Sequence, residues 1–324
     1  MKKKVLLYKS IPEEQLNRLK AQFDLSYFVG INDHNRANFI AALAEAEGLI
    51  GASEPMPAVI LDKATRLKAI STISVGTDQF DLEYLATRDV ALMHTPLVLT
   101  DTTADTIFML MMCTARRAVE LSNMVREGRW QASIGWEFFG ADVHGKTLGV
   151  VGMGRIGYAL AKRAHLGFDM KINYFNNTSN KRAEQDFSAQ RMELATLLKT
   201  SDFVCVMLPL TPKTKNMFAQ AEFEMMKKEA IFINGSRGKI VNEADLITAL
   251  QNKTIRAAGL DVFEVEPLLG NSPLCRLDNA VLFPHIGSAT TETRLKMVSN
   301  AVDNIIAALN GDISKNCANA RLMK

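Results

Sequence analysis

The run Leu148-Gly149-Val150-Val151-Gly152-Met153-Gly154-Arg155-Ile156-Gly157-Tyr158-Ala159-Leu160-Ala161 reads as strand, tight turn and helix in immediate succession. A short apolar stretch with branched residues ends at Val151, and helix-forming residues begin at Tyr158. Between them the glycines stand in G-x-G-x-x-G spacing. In such a turn Gly152 makes the bend, Gly154 lets the main chain approach a pyrophosphate, and Gly157 lets the helix pack close to the strand. The helix N-terminus then faces the phosphates. The pattern predicts a dinucleotide site at the head of a doubly wound sheet.

The next strand qualifies the ligand. A carboxylate at its end would take the adenosine ribose hydroxyls of NAD, but Tyr174-Phe175 is followed by Asn176-Asn177-Thr178-Ser179, with Lys181 and Arg182 just beyond. Amides, hydroxyls and cations suit a 2′-phosphate that a carboxylate would repel. The reading favours NADPH, with NADH as the other candidate.

Downstream, strands continue through Phe203–Leu208, Ile231–Asn234, Ala257–Leu260 and Val281–Phe283, which with the two already named makes the six strands of a complete dinucleotide-binding fold. Upstream, Val5–Tyr8, Leu25–Val29, Gly48–Gly51, Leu67–Ile73 and Val90–Met93 alternate with helical segments, a second parallel sheet. One long helix over 100–126, rich in Ala, Leu and Met, joins the two, and the helical segment 291–309 returns to the first. The expected architecture is α/β. It has two doubly wound parallel-sheet domains, a flavodoxin-like substrate domain (1–98 plus 291–324) and a Rossmann cofactor domain (99–290), with a cleft between them.

Bulk properties narrow the class. A 324-residue chain with 48% hydrophobic and 23% charged residues can bury a sizeable core. A formal charge of +3, with cations interleaved among acids, argues against nucleic acid as a partner. Lys2–Lys4 resemble the start of a signal peptide, but only Val5–Tyr8 follow before polar residues. No run approaches the roughly 18 apolar residues of a membrane span, so a cytoplasmic protein is expected. Cys113, Cys205, Cys275 and Cys317 lie far apart, without metal-ligand spacing, and are read as reduced thiols; no metal is expected.

A 2-keto acid presents a carboxylate beside a carbonyl. Reducing it needs a cation to orient the first and a proton donor for the oxygen of the second. Arg237 directly follows the strand 231–234, His285 follows 281–284, and Glu266 follows the strand 257–260, so all three fall at strand carboxyl ends, where ligands bind in such sheets. A carboxylate hydrogen-bonded to the imidazole would stabilise its cationic form, and Glu266 is the candidate.

The glycine turn, Gly235-Ser236-Arg237-Gly238, Asp261-Val262-Phe263 with Glu266-Pro267, and Pro284-His285-Ile286-Gly287 recur in this order in the D-isomer-specific 2-hydroxyacid dehydrogenases, which the chain resembles over nearly its whole length. Ser71-Thr72-Ile73-Ser74-Val75-Gly76, His94-Thr95-Pro96 and Pro209-Leu210-Thr211 bring the resemblance nearest to the glyoxylate/hydroxypyruvate reductases, also described as 2-ketogluconate reductases. The resemblance implies that Arg237 binds substrate, that Glu266 pairs with His285, and that His285 is the acid/base. It also implies that the amides of Val75 and Gly76 hold the substrate carboxylate and that Asp261 holds the nicotinamide carboxamide. Arg155 and Ile156 would meet the pyrophosphate, with Asn176, Asn177, Thr178, Thr103, Pro209, Thr214 and Gly287 further along the cofactor. A homodimer is implied by the same analogy. Thr103 and Ser236 depart mildly from the family pattern, and Asn176 and Asn177 stand where NADP-preferring relatives often carry arginines. Trp136 and Phe138-Phe139 read as core or lid aromatics. The rival from another class is a nucleotide-sensing, corepressor-like protein on the same scaffold.

Overall fold

A computed structural model describes residues 1–323. The chain divides into two compact units, one of residues 1–99 together with the segment from Ala289 onward, the other Thr100–Ser288.

The first unit alternates strand and helix: β1 (Lys4–Leu7), α1 (Glu13–Gln22), β2 (Asp24–Tyr27), α2 (Arg36–Glu45), β3 (Gly48–Gly51), α3 (Ala58–Leu61), β4 (Ala69–Thr72), α4 (Leu82–Thr87) and β5 (Ala91–Met93). All strands are parallel, in the order β2-β1-β3-β4-β5, which is the flavodoxin-like order. Strands β3, β4 and β5 are buried along their whole length, as expected of a parallel sheet covered on both faces.

The second unit opens with α5 (Thr100–Ala115) and α6 (Ala118–Arg126), then β6 (Thr147–Val151), α7 (Arg155–Phe168), β7 (Lys171–Phe175), α8 (Lys181–Phe187), β8 (Gln190–Arg191), α9 (Leu194–Thr200), β9 (Phe203–Val206), α10 (Gln220–Met225), β10 (Ile231–Asn234), α11 (Glu243–Gln251), β11 (Ala257–Leu260) and β12 (Ala280–Leu282). Two expectations need correction. The segment 100–126 is two helices, because Arg117 takes a left-handed conformation (φ 53°). The break is stabilised locally: Arg117 Nε and Nη2 bind the Glu120 carboxylate, and the Ala141 amide donates to the Ala115 carbonyl. Among the described residues the sheet also has seven strands rather than six, since the exposed two-residue β8 adds an edge beside β7.

The order β12-β11-β10-β9-β6-β7-β8 reverses between β6 and β9, the topological switch point of a dinucleotide-binding sheet. Register brings the strand ends together, with Val151 beside Phe175 and Val206, Asn234 beside Val206 and Leu260, and Leu260 beside Leu282. Every loop leaving this edge therefore starts from the same level. One sheet face packs on α5 and α7 through Ile107, Leu110, Leu160 and Ala164. The other packs on α9–α11 through Leu197, Phe223, Phe232 and Leu246. Burying each of the leucine, isoleucine and phenylalanine side chains contributes about 1.5–3 kcal/mol before entropy is counted.

The last helix, α12 (Thr291–Leu309), covers the first unit's sheet, where Ser71 Oγ donates to the Ala301 carbonyl at 2.8 Å. Among the described residues no helix is long and apolar enough to cross a membrane.

Candidate active site

Three loops of the second unit carry the predicted acid/base, its carboxylate partner and the cation. After β10, the buried Asn234 turns its side chain back on its own loop. Its Oδ1 accepts from the Ser236 amide (3.1 Å) and hydroxyl (2.9 Å), and its Nδ2 donates to the Arg237 carbonyl at 3.0 Å. Arg237 Nη1 donates to the Ser236 carbonyl at 2.7 Å. One buried amide thus shapes the backbone that presents the guanidinium. Gly238 then lies against the main chain of Phe263, where an added Cβ would stand 1.9 Å from the carbonyl carbon. The loop of Arg237 is thereby docked on the loop of Glu266.

Glu266 accepts the Phe263 amide on Oε1 at 3.0 Å and His285 Nδ1 on Oε2 at 2.8 Å. Burial works to raise the Glu266 carboxyl. The His285 and Phe263 donors, with the charges of His285 and Arg237, outweigh it and hold the group below the usual glutamate range. His285 is exposed and takes a left-handed backbone (φ 52°), a conformation sparsely used outside glycine and often found at functional positions. Asp261 holds that turn: Oδ1 accepts the Ile286 amide at 2.8 Å and Oδ2 the Gly287 amide at 2.9 Å. Burial pushes the Asp261 carboxyl above its ordinary value in spite of these donors.

The two shifts act oppositely on stability. Glu266, lowered on folding, stabilises fully above its unfolded value, and that contribution is lost as pH falls through the lowered one. Asp261, raised on folding, costs stability as pH climbs through its raised value. Glu266→Gln is therefore expected to flatten the acid limb of Tm against pH, by a small amount because the pair is partly exposed. A melting series from pH 3 to 7 checks this, and an acid limb unchanged in the variant would contradict it.

The glycine turn is built for a ligand's phosphates. Gly152 adopts φ +107°, and an added Cβ on Gly157 would sit 2.2 Å from the Gly152 carbonyl oxygen, so α7 packs tightly behind the turn. At Gly154 an added Cβ would meet no heavy atom within 4 Å. That glycine is also the N-cap of α7 and offers no side-chain acceptor to the first amides, Arg155 and Ile156 among them. Open space over undercapped amides fits a pyrophosphate. Across the switch point, Thr214 Oγ donates to the Pro209 carbonyl at 2.7 Å and closes the loop after β9. Thr103, Asp261 and Gly287 form one cluster, since a Cβ on Gly287 would lie 3.2 Å from Asp261 Oδ2 and 3.3 Å from Thr103 Cγ2. Asn176, Asn177 and Thr178 lie past the end of β7, with Asn176 Nδ2 donating to the Thr178 carbonyl at 3.0 Å.

Val75 and Gly76 belong to the first unit, in the loop after β4, where the Val75 carbonyl receives His94 Nδ1 at 2.9 Å and the Gly76 carbonyl accepts Ser74 Oγ at 2.7 Å. Trp136 and Phe139 are not core aromatics, being 81% and 60% exposed, whereas the half-buried Phe138 lies under the Arg117 guanidinium. Three polar residues of consequence escaped the sequence reading: Asn234, Asn180 and Arg191. Asn234 ends a strand already read from the sequence, one residue before the Gly235–Gly238 motif. Asn180 stands where an N-cap was legible three residues before Ala183. Among the described residues no group of three or more His, Cys, Asp or Glu could hold a metal ion, and all four cysteines are free.

Comparison with known proteins gives this geometry its context. A family model described as the D-isomer specific 2-hydroxyacid dehydrogenase NAD binding domain matches residues 108–287. Proteins named glyoxylate/hydroxypyruvate reductase B from Cronobacter sakazakii and Serratia proteamaculans are 52% and 51% identical, each over 100% of both chains. Among solved structures, a Thermus thermophilus protein of 38% identity superposes with a TM-score of 0.88 over 97% of this chain and 99% of its own. The NADPH-dependent glyoxylate/hydroxypyruvate reductase of Sinorhizobium meliloti, solved with NADP and malonate, gives 0.87 at 28% identity over 100% and 99%. With the glycine turn, the strand-end histidine and its glutamate all inside or adjoining the matched segment, the chain belongs to the D-isomer specific 2-hydroxyacid dehydrogenase family.

Proposed function

We propose that this enzyme reduces small 2-keto acids, glyoxylate and hydroxypyruvate foremost and 2-ketogluconate as a third substrate, to the corresponding D-2-hydroxy acids, with NADPH preferred over NADH. The observation that carries the reading is the His285–Glu266 pair at 2.8 Å on a sheet edge shared with Arg237. A bound nicotinamide supplies a hydride to the keto carbon. The protein's part is to place and protonate. Arg237 orients the substrate through its planar fork, and the amides of Val75 and Gly76 receive the carboxylate. Glu266 accepts Nδ1–H, which leaves His285 Nε2 as the ring position that delivers a proton to the carbonyl oxygen as charge develops there. Asp261 positions the His285 turn and is assigned to the nicotinamide amide. Gly152, Gly154, Arg155, Ile156 and Gly157 are assigned to the pyrophosphate, with Thr103, Pro209, Thr214 and Gly287 along the rest of the cofactor. Asn176, Asn177 and Thr178 are assigned to the adenosine ribose.

The NADPH preference is supported by the absence of an acid at the end of β7 and by the NADP bound to the Sinorhizobium relative. The substrates are supported by the names of the full-length relatives. We also propose a homodimer. The large apolar side chains Met109, Val119, Val125, Trp130, Trp136 and Phe139 are all at least 40% exposed within one stretch of the second unit, and a second copy would give them a surface to pack on. A cytoplasmic location is proposed because that compartment keeps thiols reduced. The test is oxidation of NADPH and NADH at 340 nm with each of the three acids, alongside the mass in solution by light scattering. Turnover with at least one acid, faster with NADPH, from a particle of twice the chain mass is expected. Binding of NADPH without turnover on any of the acids would overturn the substrate assignment.

A further inference from the structure

The loop after β7 lacks an acid, yet a charge from another strand is fixed upon it. Strand β8 pairs Arg191 with Tyr174 in parallel register, which sets the arginine beside the end of β7. From there its Nε donates to the Asn176 carbonyl at 3.0 Å and its Nη2 to the Asn177 carbonyl at 2.9 Å. Two of five guanidinium N–H groups are thus used to fix the fork, and no carboxylate among the described residues pairs with it. The neighbouring Arg182 is differently committed. It lies 4.5 Å over the Tyr158 ring and 3.4 Å from Asp186.

The loop that Arg191 grips is itself tied to the glycine turn. Asn180 Nδ2 donates to the Met153 carbonyl at 2.9 Å, the Asn180 amide donates to Tyr174 Oη at 2.9 Å, and Asn180 Oδ1 caps α8 through the Ala183 amide at 3.1 Å. A cofactor with its pyrophosphate over Gly154 places its adenosine ribose past the end of β7, where an acid would reject a 2′-phosphate and an arginine accepts one. A guanidinium held on two backbone carbonyls, exposed and without a counter-ion among the described residues, is a preorganised phosphate receptor. We infer that Arg191, reaching in from the edge strand, is the residue that selects NADPH over NADH, in place of the arginines absent at positions 176 and 177. Asn180 positions its loop. The inference rests on the NADPH preference proposed above.

The test is calorimetric binding of adenosine 2′,5′-bisphosphate and of 5′-AMP to the full-length protein, wild type, Arg191→Ala and Arg191→Lys. Wild type should bind the bisphosphate at least about tenfold more tightly than 5′-AMP. Arg191→Ala should lose roughly 10- to 100-fold for the bisphosphate and stay within about twofold for 5′-AMP, with Arg191→Lys between them as a point charge without the fork. In steady state the KM for NADPH should rise in parallel, with the KM for NADH and both kcat values little changed. Equal weakening of both nucleotides would make Arg191 a mere brace of the loop and overturn the inference. So would a variant that discriminates as well as wild type, which leaves the NADPH preference intact. A wild type that fails to distinguish the two nucleotides overturns the preference itself, and the inference with it.

Discussion

Replacing His285 by asparagine should lower kcat for keto-acid reduction by roughly 10²- to 10⁴-fold, the range expected when a general acid is removed, while the dissociation constant for NADPH stays within about twofold of wild type. Asparagine is the informative substitution because His285 sits at φ 52°, a region asparagine enters more readily than alanine or branched residues. The Pro284–Gly287 turn can then persist, held by the two bonds from Asp261 to the Ile286 and Gly287 amides. What disappears is the imidazole whose Nδ1 is engaged by Glu266. Glu266→Gln should cost less than His285→Asn, and the double variant little more than His285→Asn alone, since residues that act as a unit are not additive. Steady-state kinetics with fluorescence titration of NADPH separate these quantities. A loss of cofactor affinity as large as the loss of kcat would make His285 a structural residue.

The acid/base pair and the arginine were legible because each follows an apolar run of four or five residues that had to be a strand, and parallel strands of one sheet send their loops to one edge. The glycine turn was legible for the same reason. Structure set by single polar residues was not. Nothing in Gln190-Arg191 has strand periodicity, so β8 and the arginine it carries were invisible, although the lack of an acid after Phe175 was plain. The break at Arg117 was equally hidden, because the helical pattern of Ala, Leu and Met runs across it and the left-handed residue is not a glycine. For Trp136 and Phe139 residue type alone does not separate core from lid, and their exposure rules out the core, because burial depends on tertiary packing that composition does not encode.

Gly238→Ala tests whether the loops of Arg237 and Glu266 act as one body. At this position the obstacle is contact alone, since Gly238 does not have a positive φ. The added methyl would stand 1.9 Å from both the carbonyl carbon and oxygen of Phe263 and 2.5 Å from the Glu264 nitrogen, all main-chain atoms that cannot rotate away. One loop must therefore move, and each carries a site residue one to three positions from the collision. Overpacking of this kind costs about 1–3 kcal/mol, and a displacement near 1 Å at a catalytic group costs on the order of 10²-fold in rate. The variant should thus lose both Tm and kcat/KM, with kcat falling more than NADPH affinity because the glycine turn is untouched. Gly270→Ala is the control: an added Cβ there meets nothing within 4 Å, and its φ is not positive, so both quantities should hold. Should Gly238→Ala keep wild-type Tm and kcat/KM, the two loops are not coupled through this contact. Should Tm fall while kcat/KM holds, the contact stabilises the fold without setting the geometry of the acid, its glutamate and the arginine.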